Sequence, residues 1–160
     1  MKLFSRTLLD DLSVKAAASP RRRANHNIHN SSSDLVQRFF IVTNRDSYIR
    51  PHRHLSRSEL ALAIRGGFSV LTFDEYGHVT ARYEVGDNTP SIGFETPQRT
   101  WHTLVAVTDG SAFLEVKEGP YDPALASEFA PWSPPEGHPS VPHYLAWLTG
   151  AQPGAASPSF

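Results

Sequence analysis

His52 and His54 stand two residues apart, Glu59 follows a short turn later, and His102 comes far downstream. Neutral imidazoles offer nitrogen lone pairs and a carboxylate offers oxygen, a donor set that suits one divalent transition metal such as Zn, Fe, Mn, Ni or Co. An octahedral ion on these four groups would keep two positions open for water or substrate. A tetrahedral zinc would be nearly closed unless Glu59 were loose. The chain has no Cys, so disulfides, thiolate zinc sites and cysteine nucleophiles are excluded. With 8 His in the sequence, one His-x-His pair carries little weight. The pair, the carboxylate and a late His102 preceded by Pro97 form a two-part constellation.

Further residues could serve a site built around these donors. Arg23, Asn25, Asn27 and His29 repeat at spacing two, so an extended segment would place them on one face. There they could line a pocket mouth and bind hydroxyls or a phosphate; a hydrogen-bonded polar loop is the alternative. Gln37 and Arg38 cannot both face inward, and the neutral amide of Gln37 suits the interior better. Glu115 and Lys117 share a strand face. If it is interior, they form with Tyr121 a set able to move protons near the metal; if exterior, they are a solvated edge. Trp101, alternating with His102, is expected to pack between sheets.

The elements that must position these groups are short. Thr7 can cap a helix with Leu8, Leu12 and Ala16 on one face and Leu9 beside them, ended at Ser19-Pro20. Asn25 to Asp34 is loop-like in composition. From 37 to 119 short β-rich runs alternate with turn signals: 38–43, 47–50, 59–65, 67–73, 79–85, 91–95, 101–107 and 112–117. The pattern predicts an all-β antiparallel sandwich or barrel. Residues 1–36 are thus a helix and polar loop packing on that barrel. Residues 67–73 are apolar on both faces and should lie inside a sheet. In a strand His52 and His54 aim at one point while Arg53 points away, and the strand opening at Glu59 can fold back beside them. Residues 120–149 form a Pro-rich strap, with Trp132, Phe129 and Tyr121 interleaved, and a short helix capped by Ser140. Residues 150–160 are small, polar and Pro-containing, and are expected to be disordered.

The 160 residues carry a formal net charge of −1 with 39% apolar content. That suffices for one domain with its own core and gives no global field for nucleic acid or an anionic membrane. Arg21-Arg22-Arg23 reads as a solvated run. No apolar run is long enough to span a bilayer, and no signal-peptide core is present; a cytoplasmic address is expected.

At the metal constellation the sequence resembles the cupin superfamily. His52, His54, Glu59 and Gly66 match its first motif. Pro97 and His102 match the second, with Arg99 where Gly is usual and Ala106 where Asn is usual. The resemblance implies a double-stranded β-helix, a jelly-roll-like barrel, with metal at its centre. The segments 23–29, 48–54, 100–103, 115–123 and 129–132 further resemble the WbuC family of cupin-fold metalloproteins, which occurs among bacterial O-antigen and nucleotide-sugar gene sets. This implies a small-molecule ligand, a sugar or nucleotide sugar. Three classes stay open: a metal-dependent isomerase or epimerase, or else an iron-dependent dioxygenase; a non-catalytic sugar- or metabolite-binding module; and a domain in which metal is only a staple. A homodimer is expected by analogy.

Overall fold

Two-residue periodicity from Val36 to Glu118 is satisfied by two stacked antiparallel sheets in a computed structural model describing residues 1–160. The elements are α1 (Arg6–Ala18), β1 (Arg23–Asn27), β2 (Val36–Thr43), β3 (His52–Arg53), β4 (Glu59–Arg65), β5 (Gly67–Phe73), β6 (Val79–Gly86), β7 (Gly93–Thr96), β8 (Trp101–Ala106), β9 (Ser111–Glu118), β10 (Glu128–Phe129) and α2 (Val141–Gly150). One five-stranded sheet runs β1-β2-β9-β4-β7 and the other β10-β3-β8-β5-β6. β5 lies between β8 and β6, in keeping with its apolar residues on both faces.

Alternation sorts the side chains into three layers. Ala61, Phe68, Val70, Val85, Leu104, Ala106 and Phe113 meet between the sheets. Outside the first sheet, Phe40, Val42 and Ala112 receive Leu9, Leu12 and Ala16 of α1. Outside the second, Leu71, Phe73, Trp101 and Val105 are covered by Tyr144 and Leu148 of α2. Trp101 therefore packs outside the sheet pair, not between the sheets, because inward-facing His102 fixes the opposite direction for its neighbour.

Several local expectations are corrected. Ser5, not Thr7, caps α1, its hydroxyl accepting the Leu8 N–H at 3.3 Å; Thr7 lies within the first turn. The start of the expected polar loop is strand β1, paired in register with β2 from Arg23↔Thr43 to Asn27↔Phe39. Pairing with a neighbour outweighs the low β-propensity of Asn. Residues 47–51 form no strand. Ser140 sits before α2 but makes no side-chain cap, and a Pro in the first turn starts the helix instead.

The tail is ordered. Val79 N–H donates to Ala155 O at 2.9 Å, Gly154 N–H to Val79 O at 2.8 Å and Ser157 N–H to Gly77 O at 3.0 Å. The basic run leads from a turn into β1 with Arg21 exposed, but its charges are paired at the surface: Arg21 and Arg23 both meet Glu136, at 2.8 and 2.5 Å, and Arg22 meets Asp46 at 2.8 Å. Neither helix is long and apolar enough to cross a membrane.

Candidate metal centre

β3 brings His52 opposite His102 of β8, and the facing sheet supplies Glu59 at the start of β4. One ligand atom from each of His52, His54, Glu59 and His102 lies within 4.8 Å of the others. His54, Glu59 and His102 are buried.

The hydrogen bonds around the imidazoles fix their tautomers. His52 Nδ1 meets Arg50 O at 2.9 Å, His54 Nδ1 meets Ala126 O at 2.6 Å and His102 Nδ1 meets Thr100 O at 2.9 Å. A carbonyl only accepts, so each Nδ1 carries the proton and each neutral ring presents a bare Nε2. His54 Nε2 lies 2.9 Å from Glu59 Oε2 and His102 Nε2 3.8 Å from Glu59 Oε1. His102 Nε2 is buried without a hydrogen-bond partner. Lone pairs facing a carboxylate in a dry site are unfavourable unless a cation joins them. A proton serves poorly: burial, reinforced by His102, pushes His52 down to about 3. Burial pushes Glu59 up, but the neighbouring His102 and His54 and the charge of Lys117 outweigh it and hold the carboxyl well below its usual range, so an anion faces those bare nitrogens. These donors fit a divalent transition metal, while metal identity is left open by a set that accommodates several ions.

Arg99 occupies the position where the motif has Gly, and its φ of 66° is the left-handed conformation a Gly there would supply. The turn survives, and Arg99 N–H donates to His54 O at 2.7 Å. Ala106, at the usual Asn position, joins the apolar layer.

Around the four donors, Glu115 and Lys117 face inward from β9. Lys117 Nζ lies 2.5 Å from Glu115 Oε1 and 3.4 Å from Glu59 Oε2, and 5.3 Å from the centre of the Phe39 ring. Burial and the Glu59 charge push Glu115 up; burial pulls Lys117 down, but Glu115 and Glu59 more than restore it. A cavity of about 350 Å³ is lined by His52, Glu59, Glu115 and Lys117 and by the apolar Ile41, Ile49, Leu104 and Phe113. Tyr121 stands half-exposed at its rim.

The expected binding residues divide. Asn25, Asn27 and His29 line one adjoining cavity with Lys117 and Tyr121. Gln37 also reaches it; its Nε2 is spent on the carbonyls of Ser31, Ser32 and Asp34, so its donor side holds a turn. Arg23 lines the metal-side cavity beside Arg21, its guanidinium held by Tyr48 O at 2.8 Å and by Glu136. His29 is buried, its Nδ1 accepting the Arg38 N–H at 3.0 Å. Three contributors escaped sequence reasoning. The Ala126 carbonyl that orients His54 has no side-chain signal. Phe39 and Ile41 could have been found by counting inward from Gln37 in steps of two.

Solved structures share this architecture. A capsular polysaccharide assembling protein, CapF, from Staphylococcus aureus aligns with a TM-score of 0.57 at 14% identity, over 69% of this chain and 30% of its own. A protein from Shewanella oneidensis aligns at 0.54 and 13% identity, over 82% and 87%. An oxalate oxidase in complex with glycolate aligns at 0.51 and 14%, over 72% and 59%. The chain thus spans less than a third of CapF. No curated protein matches it in sequence. The fold is the cupin fold, a jelly-roll-like double-stranded β-helix, and its three His and one Glu are grouped so that they could hold a metal ion. A family model described as a domain of unknown function, DUF6016, matches residues 4–85, and the chain belongs to that family.

Proposed function

We propose that this chain is a metal-dependent enzyme that isomerises or epimerises a small polar metabolite, a sugar or nucleotide sugar, in bacterial surface polysaccharide metabolism. The observation that carries it is three imidazoles with their Nδ1 protons spent on carbonyls, converging with Glu59 beside a cavity that also holds Lys117 and Glu115. A divalent ion bound there would supply a Lewis acid for a substrate carbonyl. Lys117 Nζ holds a proton within reach of Glu115 Oε1, so the pair can deliver or remove one at an adjacent carbon or oxygen. Burial, which pushes Glu115 up, makes it the better proton carrier of the two acids. Ile41, Ile49, Leu104 and Phe113 exclude water from one wall, and Tyr121 offers a hydroxyl at the mouth. The resemblance to WbuC proteins and the fold likeness to a capsular polysaccharide assembling protein support the substrate class.

Elemental analysis should find one divalent ion per chain, lost in His54→Ala. Incubation with a panel of free, glycosylated and nucleotide sugars in deuterated water should incorporate deuterium at a carbon of at least one, and Glu115→Gln should slow this by about 10²-fold or more. Binding without exchange would favour a non-catalytic module. The same donors suit iron, and a fold neighbour is an oxalate oxidase; dioxygen uptake by iron-loaded protein, with no exchange, would replace the isomerase with a dioxygenase.

A further inference from the structure

We infer that the polar cavity beside the metal compartment is a subsite for a second, uncharged glycosyl unit, so that the ligand is a glycosylated sugar and not a nucleoside diphosphate sugar. This rests on the sugar reading above and narrows it. The outer cavity, about 490 Å³, shares Asn25, Phe39, Lys117 and Tyr121 as walls with the metal-side cavity. One ligand can therefore occupy both.

Its walls are preorganised. Gln37, 1% exposed, donates from Nε2 to Asp34 O at 2.7 Å and Ser32 O at 3.2 Å. Tyr121 N–H donates to Ser32 O at 2.7 Å, tying the start of the strap to the same turn. A side chain at Gly119 would collide with the Asp34 carbonyl, so the strap passes against the turn only because that position is glycine. His29 stands edge-on to Phe39, ring centres 5.0 Å apart.

The chemistry on these walls is that of hydroxyl recognition. Asn25 Nδ2 donates to Asn27 Oδ1 at 2.7 Å. That leaves the Asn25 oxygen as acceptor and the Asn27 amide hydrogens as donors, side by side on an exposed strand face. Adjacent hydroxyls, each both donor and acceptor, complement such a pair. Phe39 and Tyr121 add flat apolar surface for the C–H face of a sugar ring. Of ten lining residues only these two are hydrophobic, too few for an apolar ligand. Charge excludes a diphosphate: Lys117 is the sole charged residue in the lining, and its ammonium is already shared by Glu115 and Glu59. Recognition of phosphates calls for free Arg or Lys donors. Of the two cavities, Arg21 and Arg23 line only the metal-side one, where both are held by Glu136, and at the edge of the outer cavity Lys2 Nζ donates to Ile28 O at 2.9 Å and to Asn30 Oδ1 at 2.8 Å.

The test uses the full metal-loaded chain, titrated with matched probes: glucose with cellobiose and maltose, galactose with lactose, and UDP-glucose. In at least one pair the two-unit sugar should bind fivefold or more tightly than its one-unit partner. The double variant Asn25→Leu/Asn27→Leu should erase that difference while leaving metal content and melting temperature unchanged, and UDP-glucose should bind no tighter than glucose. No length dependence in any pair, length dependence that survives the double variant, or tenfold tighter UDP-glucose overturns the subsite. Metal content of the same samples separates the two readings. Length dependence in a metal-free protein sinks the proposed enzyme but keeps the subsite; bound metal without length dependence does the reverse.

Discussion

Arg99 shows how a departure from a motif can leave its geometry intact. A non-Gly residue at φ 66° costs about 1–2 kcal/mol, and it persists because the turn delivers its N–H to the His54 carbonyl. Arg99→Gly removes that cost while retaining the bond, so the denaturant midpoint should rise by an amount equivalent to about 1 kcal/mol, with metal content unchanged. A midpoint that falls would show that the Arg99 side chain contributes more than its backbone strain. At this scale the sequence was most legible: period two sets His52 and His54 on one side and Arg53 on the other, while Glu59 follows from a short turn and His102 only from long-range pairing. It was silent where period two has two solutions. Whether Glu115 and Lys117 face in or out depends on β9 lying between β2 and β4 with Phe113 in the inner layer, which is a matter of long-range pairing.

Between 119 and 136 the strap connects residues to elements. Proline content foretold extended chain, but not that its Ala126 carbonyl would orient His54 or that two residues would join the sheet as β10. Arg53 holds β10 through Glu128 at 2.7 Å and stacks 4.2 Å from the Trp101 ring. Glu128→Ala should loosen the strap, and loss of an orienting partner to a metal-bound imidazole costs about 10–100-fold in metal affinity. Competition with a chromogenic chelator reads this directly; an unchanged dissociation constant would mean the strap is irrelevant to the metal. Further along, burial pushes Glu136 up, but the hydrogen bond from Arg21 and the charge of Arg23 outweigh it and hold the carboxyl below its usual value. A depressed carboxylate stabilises above its unfolded pKa, near 4.5, and the contribution is lost as pH falls through the folded value. Glu136→Gln should therefore be less stable than the parent by about 0.5–1 kcal/mol at about pH 7, and the two midpoints should converge as pH drops below about 4. A gap that widens on acidification would reverse the sign.

Three packed layers make the whole molecule less dependent on its metal than a small metal-stapled domain. The layers under α1 and α2 contain none of the metal donors. What composition could not reveal was that residues 150–160 close the α2 side: small and polar in sequence, they bind by main-chain hydrogen bonds that need no distinctive side chain. Three such bonds link the tail to Gly77 and Val79, and Tyr144 Oη meets Ser157 Oγ at 2.9 Å. At about 1 kcal/mol net per bond, deleting 152–160 should cost about 3 kcal/mol, or about 6–12 °C in melting temperature for a chain of this size. Chelation should cost a similar amount, about 2.7 kcal/mol when free metal stands at about 100 times its dissociation constant, and leave one cooperative transition. The metal donors face the space between the two sheets, the three His from the second sheet's side and Glu59 from β4 of the first, whereas the tail docks on the outer side of the second sheet at the β5–β6 turn, so the two losses should add within about 0.5 kcal/mol. Melting the truncated chain with and without chelator measures the sum. A deficit well beyond additivity would show that the tail and the metal hold the same sheet jointly, and a chelated full-length chain with no transition at all would make the metal a structural staple.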